Sequence, residues 1–141
     1  MNIRNATKAD INNILLLHDS LFSYKWSYDN YANELDFDIS SFKVIEYQDQ
    51  IIAYYILHNI FETLEIIMIV VSKEYQSQGI GQKLLQIIEN EKKVNGNDFI
   101  YLEVAFDNEQ AIKFYEKNSF IKINERKDYY GKGKHAFIYS K

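Results

Sequence analysis

Apolar positions along this chain change period several times, and each change marks an element. Asn2 to Asn5 reads as a short first strand. Thr7-Lys8-Ala9-Asp10 then resembles a capping box with an acid in place of the usual Glu or Gln. Ile11, Ile14, Leu15, His18, Leu21 and Phe22 follow at helical spacing, and His18 on that apolar face is expected to be a satisfied, partly buried residue rather than a ligand. Ser23 to Ser27 is an aromatic-rich break, after which Ser27 suits the N-cap of a second helix carrying Tyr28, Tyr31 and Leu35. Trp26, the only tryptophan, sits in this break and has two readings, a plug over the helix junction or a wall of a substrate slot. From Phe42 the period drops to two: Phe42 to Tyr47 and Ile51 to Asn59 form a hairpin through Gln48-Asp49-Gln50.

The stretch from Leu64 to Val94 organises the rest. Leu64 to Val71 is a near-continuous apolar, β-branched run, which predicts a strand buried on both faces. Ile80, Leu84, Ile87, Ile88 and Val94 then recur on one side of a helix. Between them lies a polar turn ending in Gly79 and Gly81. A strand, a glycine turn and a helix N-terminus make a place for an anion, because the first helical N–H groups lack acceptors and carry the positive end of the dipole. Glycines there leave the backbone open to a phosphate. Asn95-Gly96-Asn97 stops the helix, Asp98 to Phe106 is the next strand, and strand–helix–strand predicts a parallel pair. Asp107-Asn108-Glu109-Gln110 matches another capping box, before a helix carrying Ala111, Phe114 and Tyr115 on one side. Phe120 to Arg126 and His135 to Ser140 are two last strands around a glycine-containing loop.

Composition narrows the class. A chain of 141 residues with no repeat and no linker reads as one domain, residues 1 to 141. With no cysteine and three scattered histidines, neither a disulfide framework nor a metal site is expected. A net charge of −4 argues against a non-specific nucleic-acid binder. No basic segment followed by an apolar one opens the chain, and no apolar run nears the roughly 20 residues of a membrane span. The expectation is a soluble, cytoplasmic protein without nucleic-acid or membrane partners.

Two motifs carry candidate chemistry. Gln76-Ser77-Gln78-Gly79-Ile80-Gly81 fits Gln/Arg-x-x-Gly-x-Gly/Ala; by itself the hexapeptide reads equally as a loosened turn that starts a helix. In the later strand Ile100, Leu102, Val104 and Phe106 fill one face, so Glu103 lies on the other, near the strand's C-terminal end, where open α/β sheets place ligands. Leu102-Glu103-Val104, then Asn108, then Ala111-Ile112-x-Phe114-Tyr115-Glu116 and Phe120 must be read together with the hexapeptide. In that order and spacing they resemble the GCN5-related N-acetyltransferases (GNAT), and most closely the ribosomal-protein-alanine N-acetyltransferases of the RimI type. The resemblance covers essentially the whole chain, including Trp26-Ser27 and the Tyr129-Tyr130 pair.

The resemblance implies an α/β fold: a mixed, largely antiparallel sheet whose one parallel strand–helix–strand pair splays to hold acetyl-CoA, with helices on both faces. It implies that the backbone of Ile69, Val70 and Val71 pairs with the pantetheine arm. Ser77, Gln78, Gly79, Ile80, Gly81 and Gln82 would hold the pyrophosphate, and Asn108 would contact the coenzyme arm. Glu103 would be the general base, through water, and Tyr115 the acid for the departing thiolate. The acceptor implied is a protein N-terminus, a ribosomal protein among the candidates. An α-amine costs only about 1 kcal/mol to deprotonate at pH 7 against about 4.6 for a lysine, which suits a modest carboxylate base.

Some residues depart from the relatives' pattern. Ala105-Phe106-Asp107 replaces a segment with an arginine and a serine, and Ser119 replaces a glycine. Lys134-His135 replaces an acidic pair, and Lys25 a proline. These departures lie toward the acceptor side. Two alternatives therefore stand beside N-terminal acetylation: transfer to a small amine or lysine side chain, and a non-catalytic acetyl-CoA-binding regulatory domain.

Overall fold

The computed structural model describes residues 1–141. Its elements in order are β1 (Asn2–Asn5), α1 (Ile11–Leu21), α2 (Tyr28–Asp36), β2 (Ser40–Tyr47), β3 (Gln50–Ile60), β4 (Thr63–Val71), α3 (Ile80–Asn95), β5 (Phe99–Ala105), α4 (Glu109–Lys117), β6 (Ile121–Arg126) and β7 (Ala136–Ser140). The seven strands form one sheet in the order β1-β2-β3-β4-β5-β7-β6. All neighbours run antiparallel except β4 and β5, the pair joined through α3.

Local chemistry explains the boundaries. The β2–β3 turn places Gln48 and Asp49 at φ 52° and 62°, the doubly left-handed geometry that matches hairpin twist. Ser27 caps α2 by accepting from the Asn30 N–H at 3.1 Å, while the Asn30 side chain accepts from the Ser27 N–H at 2.9 Å. Gly96 ends α3 in the left-handed region at φ 79°. The cap of α4 is one residue later than the sequence pattern suggested: Asn108, not Asp107, accepts from the Ala111 N–H.

Two cores sandwich the sheet. On one face Leu84, Leu85 and Ile88 of α3 pack against Tyr55, Leu57, Leu64, Ile66, Ile100, Leu102 and Val104, with half-buried Phe114 and Tyr115 of α4 beside them. On the other, Ile11 and Ile14 of α1 and Tyr31 of α2 pack on Val44, Tyr54, Ile56, Met68 and Val70. Burying a side chain of this size contributes about 1.5–3 kcal/mol, so the sheet is held chiefly by these two layers.

Two expectations change. Val94 is 78% exposed, outside the core face of α3 that Ile80, Leu84, Leu85 and Ile88 form. β4 is not buried equally on both faces: fully and partly buried residues alternate along it. Leu64 and Ile66 belong to the α3 face, yet Met68 and Val70 belong to the α1/α2 face. An extra residue between them, Ile67, reverses the alternation: β3 pairs Leu57 with Ile66 and Ile56 with Met68. This is a β-bulge.

Candidate active site

β4 and β5 are paired only from Thr63↔Phe99 to Ile66↔Leu102. At the next residue β4 bulges, and a bulge bends and twists its strand. β4 then stays with β3 while β5 goes on with β7 alone. The gap is a mostly apolar cleft of about 690 Å³. Ile67 and Ile69 line one wall and Glu103 to Asn108 the other, with Tyr115 reaching in from α4. Phe22, Tyr24 and Trp26 of the α1–α2 loop and Tyr130 and Lys134 of the β6–β7 loop frame its mouth.

The wall contributed by β4 is an open hydrogen-bonding edge. The Ser72 N–H bonds to the Ile52 carbonyl at 2.8 Å, so alternation turns the N–H groups of Ile69 and Val71 toward the side that β5 has left. Val70 faces the other way: its N–H points at β3 and its side chain is buried against the α1/α2 layer. Of the three residues expected to meet a pantetheine arm, Ile69 and Val71 therefore present donors and Val70 does not. The Gln76 side chain donates to the Val71 carbonyl at 3.0 Å, which fixes the chain as it leaves β4.

After that anchor the chain makes a cradle. No N–H from Ser77 to Gln82 bonds to a backbone acceptor; the first helical bond of α3 runs from Lys83 to Gly79. Six consecutive unpaired donors at a helix N-terminus fit a pyrophosphate. The two glycines serve different ends. Gly79 sits at φ 83° with no atom within 4 Å of where a Cβ would be, so it provides the left-handed turn and an open approach. A Cβ on Gly81 would meet the Phe114 ring at 3.2 Å, so this glycine lets α3 and α4 approach each other. That contact links the loop, which lies outside the cleft lining, to the helix that carries Tyr115.

Glu103 stands at the first residue past the last β4–β5 pair, on the face opposite the α3 core. Its Oε1 lies 3.1 Å from Arg126 Nη1 of β6, a half-exposed pair that solvent weakens. Glu65 shares this face, one row lower and opposite Tyr101. Burial pushes the Glu65 carboxyl above its usual range; His58 opposes that shift, the Glu103 charge adds to it, and Arg126 opposes it. Burial and the Glu103 charge likewise push up the phenol of Tyr130. Tyr115 packs its ring between Phe114 and Phe120, and burial alone raises its phenol well above the ordinary value. At neutral pH it is a protonated donor that lines the same cleft as Glu103.

The aromatic side of the mouth is held from below by a buried polar chain. His18 is 0% exposed, more buried than its sequence position suggested. His18 Nε2 bonds to the Tyr24 carbonyl at 3.1 Å, which requires an N–H there and leaves Nδ1 to accept from the Tyr31 hydroxyl at 2.9 Å. Tyr54 completes the chain with a hydroxyl 2.5 Å from that of Tyr31. Trp26 leans on the Tyr31 ring at 4.9 Å, as a plug over the helix junction does, and it also lines the cleft.

The cleft gathers Ile69, Glu103, Asn108 and Tyr115 in its lining, and Glu65 and Arg126 stand near Glu103 without lining it. Glu65 had a signal, a lone acid in an apolar run. Arg126 had none, since only sheet order brings β6 near β5.

The sequence profile of the Acetyltransferase (GNAT) family matches residues 11–120. The "[Ribosomal protein bS18]-alanine N-acetyltransferase" of Haemophilus ducreyi is 28% identical over 128 residues, which cover 91% of this chain and 88% of that protein. The crystal structure of the ribosomal-protein-S18-alanine N-acetyltransferase from Escherichia coli superposes with a TM-score of 0.87 at 22% identity, covering 99% of this chain and 91% of that one. An aminoglycoside 6'-N-acetyltransferase complexed with coenzyme A superposes at 0.84 and 16% identity, covering 100% of this chain and 96% of that one. The profile, the splayed sheet and the donor-lined loop agree: this chain belongs to the Acetyltransferase (GNAT) family and is an N-acetyltransferase.

Proposed function

We propose that the protein acetylates the N-terminal α-amine of a polypeptide, using acetyl-CoA. The observation that carries the reading is one cleft that combines an open β4 edge, a carboxylate at its floor and a buried phenol. The name of the Haemophilus ducreyi relative supports an N-terminal acceptor. The coenzyme A complex of the aminoglycoside enzyme supports the donor.

The donor arrives with an activated thioester, so the residues need only position two reactants and move protons. The N–H groups of Ser77 to Gln82 hold the pyrophosphate, and Asn108, whose Oδ1 caps α4, has its amide N–H₂ free for the coenzyme arm. The Ile69 N–H pairs with the arm and the Val71 N–H polarises the thioester carbonyl. Glu103 takes the amine proton through water. The amine nitrogen bonds to the acetyl carbon, the carbon–sulfur bond breaks, and Tyr115 gives its proton to the departing sulfur. The chain has no helix long and apolar enough to cross a membrane, and we place the reaction in the cytoplasm.

Thiol release from acetyl-CoA, followed with peptides bearing a free α-amine, tests the reading. The parent protein releases thiol with such peptides, and Glu103→Gln lowers turnover by about 10²–10⁴-fold while coenzyme affinity stays level. Equal turnover in the variant near neutral pH would make Glu103 structural.

A further inference from the structure

The cleft has opposite charges at its two ends. Its inner wall carries the carboxylate of Glu103, tied to Arg126 and close enough to Glu65 for the two charges to interact. Its rim, the segment from Lys127 to His135, holds Lys127, Lys132 and Lys134 against a single acid, in a chain whose net charge is −4. That acid helps to shape the loop: the Asp128 carboxylate accepts from the Gly133 N–H at 2.6 Å, and the Asp128 N–H donates to His135 Nδ1 at 3.0 Å. Backbone bonds from Gly131 to the Asp128 carbonyl, from Lys134 to Gly131 and from Tyr130 to Lys134 hold the loop in one shape. Lys127, Lys132 and Lys134 are exposed and enter none of the chain's ion pairs. Lys134 lines the cleft itself, next to Tyr130. Across the mouth Lys25 stands beside Trp26, and its one partner, Asp19, is 3.7 Å away on an exposed surface.

We propose that the acceptor is a polypeptide N-terminus followed closely by acidic side chains, with Lys134 as the residue that sets this preference. The inference rests on the N-terminal reading above. An acceptor entering amine first places its ammonium at Glu103. Its following residues then leave the cleft past the β6–β7 lysines, each advancing about 3.3 Å in an extended chain. Asp or Glu at the second to about the fifth position meets uncompensated lysines there. Lys or Arg at the same positions meets like charge from three lysines, against the single Asp107 carboxylate on the cleft wall.

Rim charges act through a screened field, so the preference is moderate and salt-dependent. The test is kcat/KM at saturating acetyl-CoA for peptides that share a first residue and carry acidic, neutral or basic residues at positions two to five. In the parent, acidic peptides lead basic ones by about tenfold at low salt, and the lead shrinks in high salt. Lys134→Glu removes or reverses the order, with acetyl-CoA affinity by calorimetry unchanged. Lys132→Glu, at an exposed loop position, moves it the same way and serves should the first variant not fold. Equal kcat/KM for acidic and basic peptides in the parent would overturn the proposal while leaving N-terminal transfer intact. So would a loss of acetyl-CoA affinity in Lys134→Glu with peptide order unchanged, since the lysine would then belong to the coenzyme. No transfer to any peptide would overturn the N-terminal reading, and this preference with it.

Discussion

Tyr115 combines a packed ring with a hydroxyl that, in the proposed mechanism, gives its proton to the departing sulfur. Its ring sits between Phe114 and Phe120, 5.3 and 5.4 Å away by centroid, so the hydroxyl can be removed without disturbing the packing. Expelling a thiolate of pKa near 8.5–10 is not prohibitive, so a donor there helps modestly. Tyr115→Phe should shift stability by no more than about 1 kcal/mol and leave acetyl-CoA binding nearly unchanged. Turnover should fall by roughly ten- to a thousandfold, read by thiol release. Full activity would mean the sulfur leaves unaided; a large melting loss would return Tyr115 to the core. That Glu103 and Tyr115 would line one cleft was legible because each sits in a dense local motif. The nearness of Arg126 and Glu65 to Glu103 was not, because it depends on strand order and register across the sheet.

At the scale of elements, the strand–turn–helix was readable and its two glycines looked alike. The structure separates them: Gly79 takes φ 83° in open space, while Gly81 is pressed by Phe114. Gly79→Val meets no protein atom, yet strains a left-handed backbone position and fills the phosphate approach. Calorimetry should show acetyl-CoA affinity reduced at least about tenfold with the fold kept, and unchanged affinity would dissociate the loop from the pyrophosphate. Ser119, which stands where relatives carry glycine, adopts φ 71°, so the turn before Phe120 keeps its geometry without the residue that favours it. The bulge at Ile67 was invisible for a different reason. In an unbroken apolar run, a one-residue change of alternation leaves no polar residue out of place to betray it.

At the scale of the whole molecule, the fold keeps one sheet between two cores and lets it split at one point. Helices α3 and α4 press the lower half of β4 and β5 together, and α1 and α2 cover the upper half of β4 once the bulge has turned it over. The split is thus where the two layers exchange their hold on β4, and the donor edge, carboxylates and aromatic mouth meet there. The order of elements and the parallel pair were legible from period and turn chemistry. The opposed charges of floor and rim were not, because they belong to the assembled cleft. The most direct measurement is to locate the acetyl group by mass spectrometry on a peptide carrying both a free N-terminus and an internal lysine. The account predicts acetyl on the α-amine alone, with the product absent for the same peptide blocked at its N-terminus. Acetyl on the lysine, undiminished by that block, would contradict it.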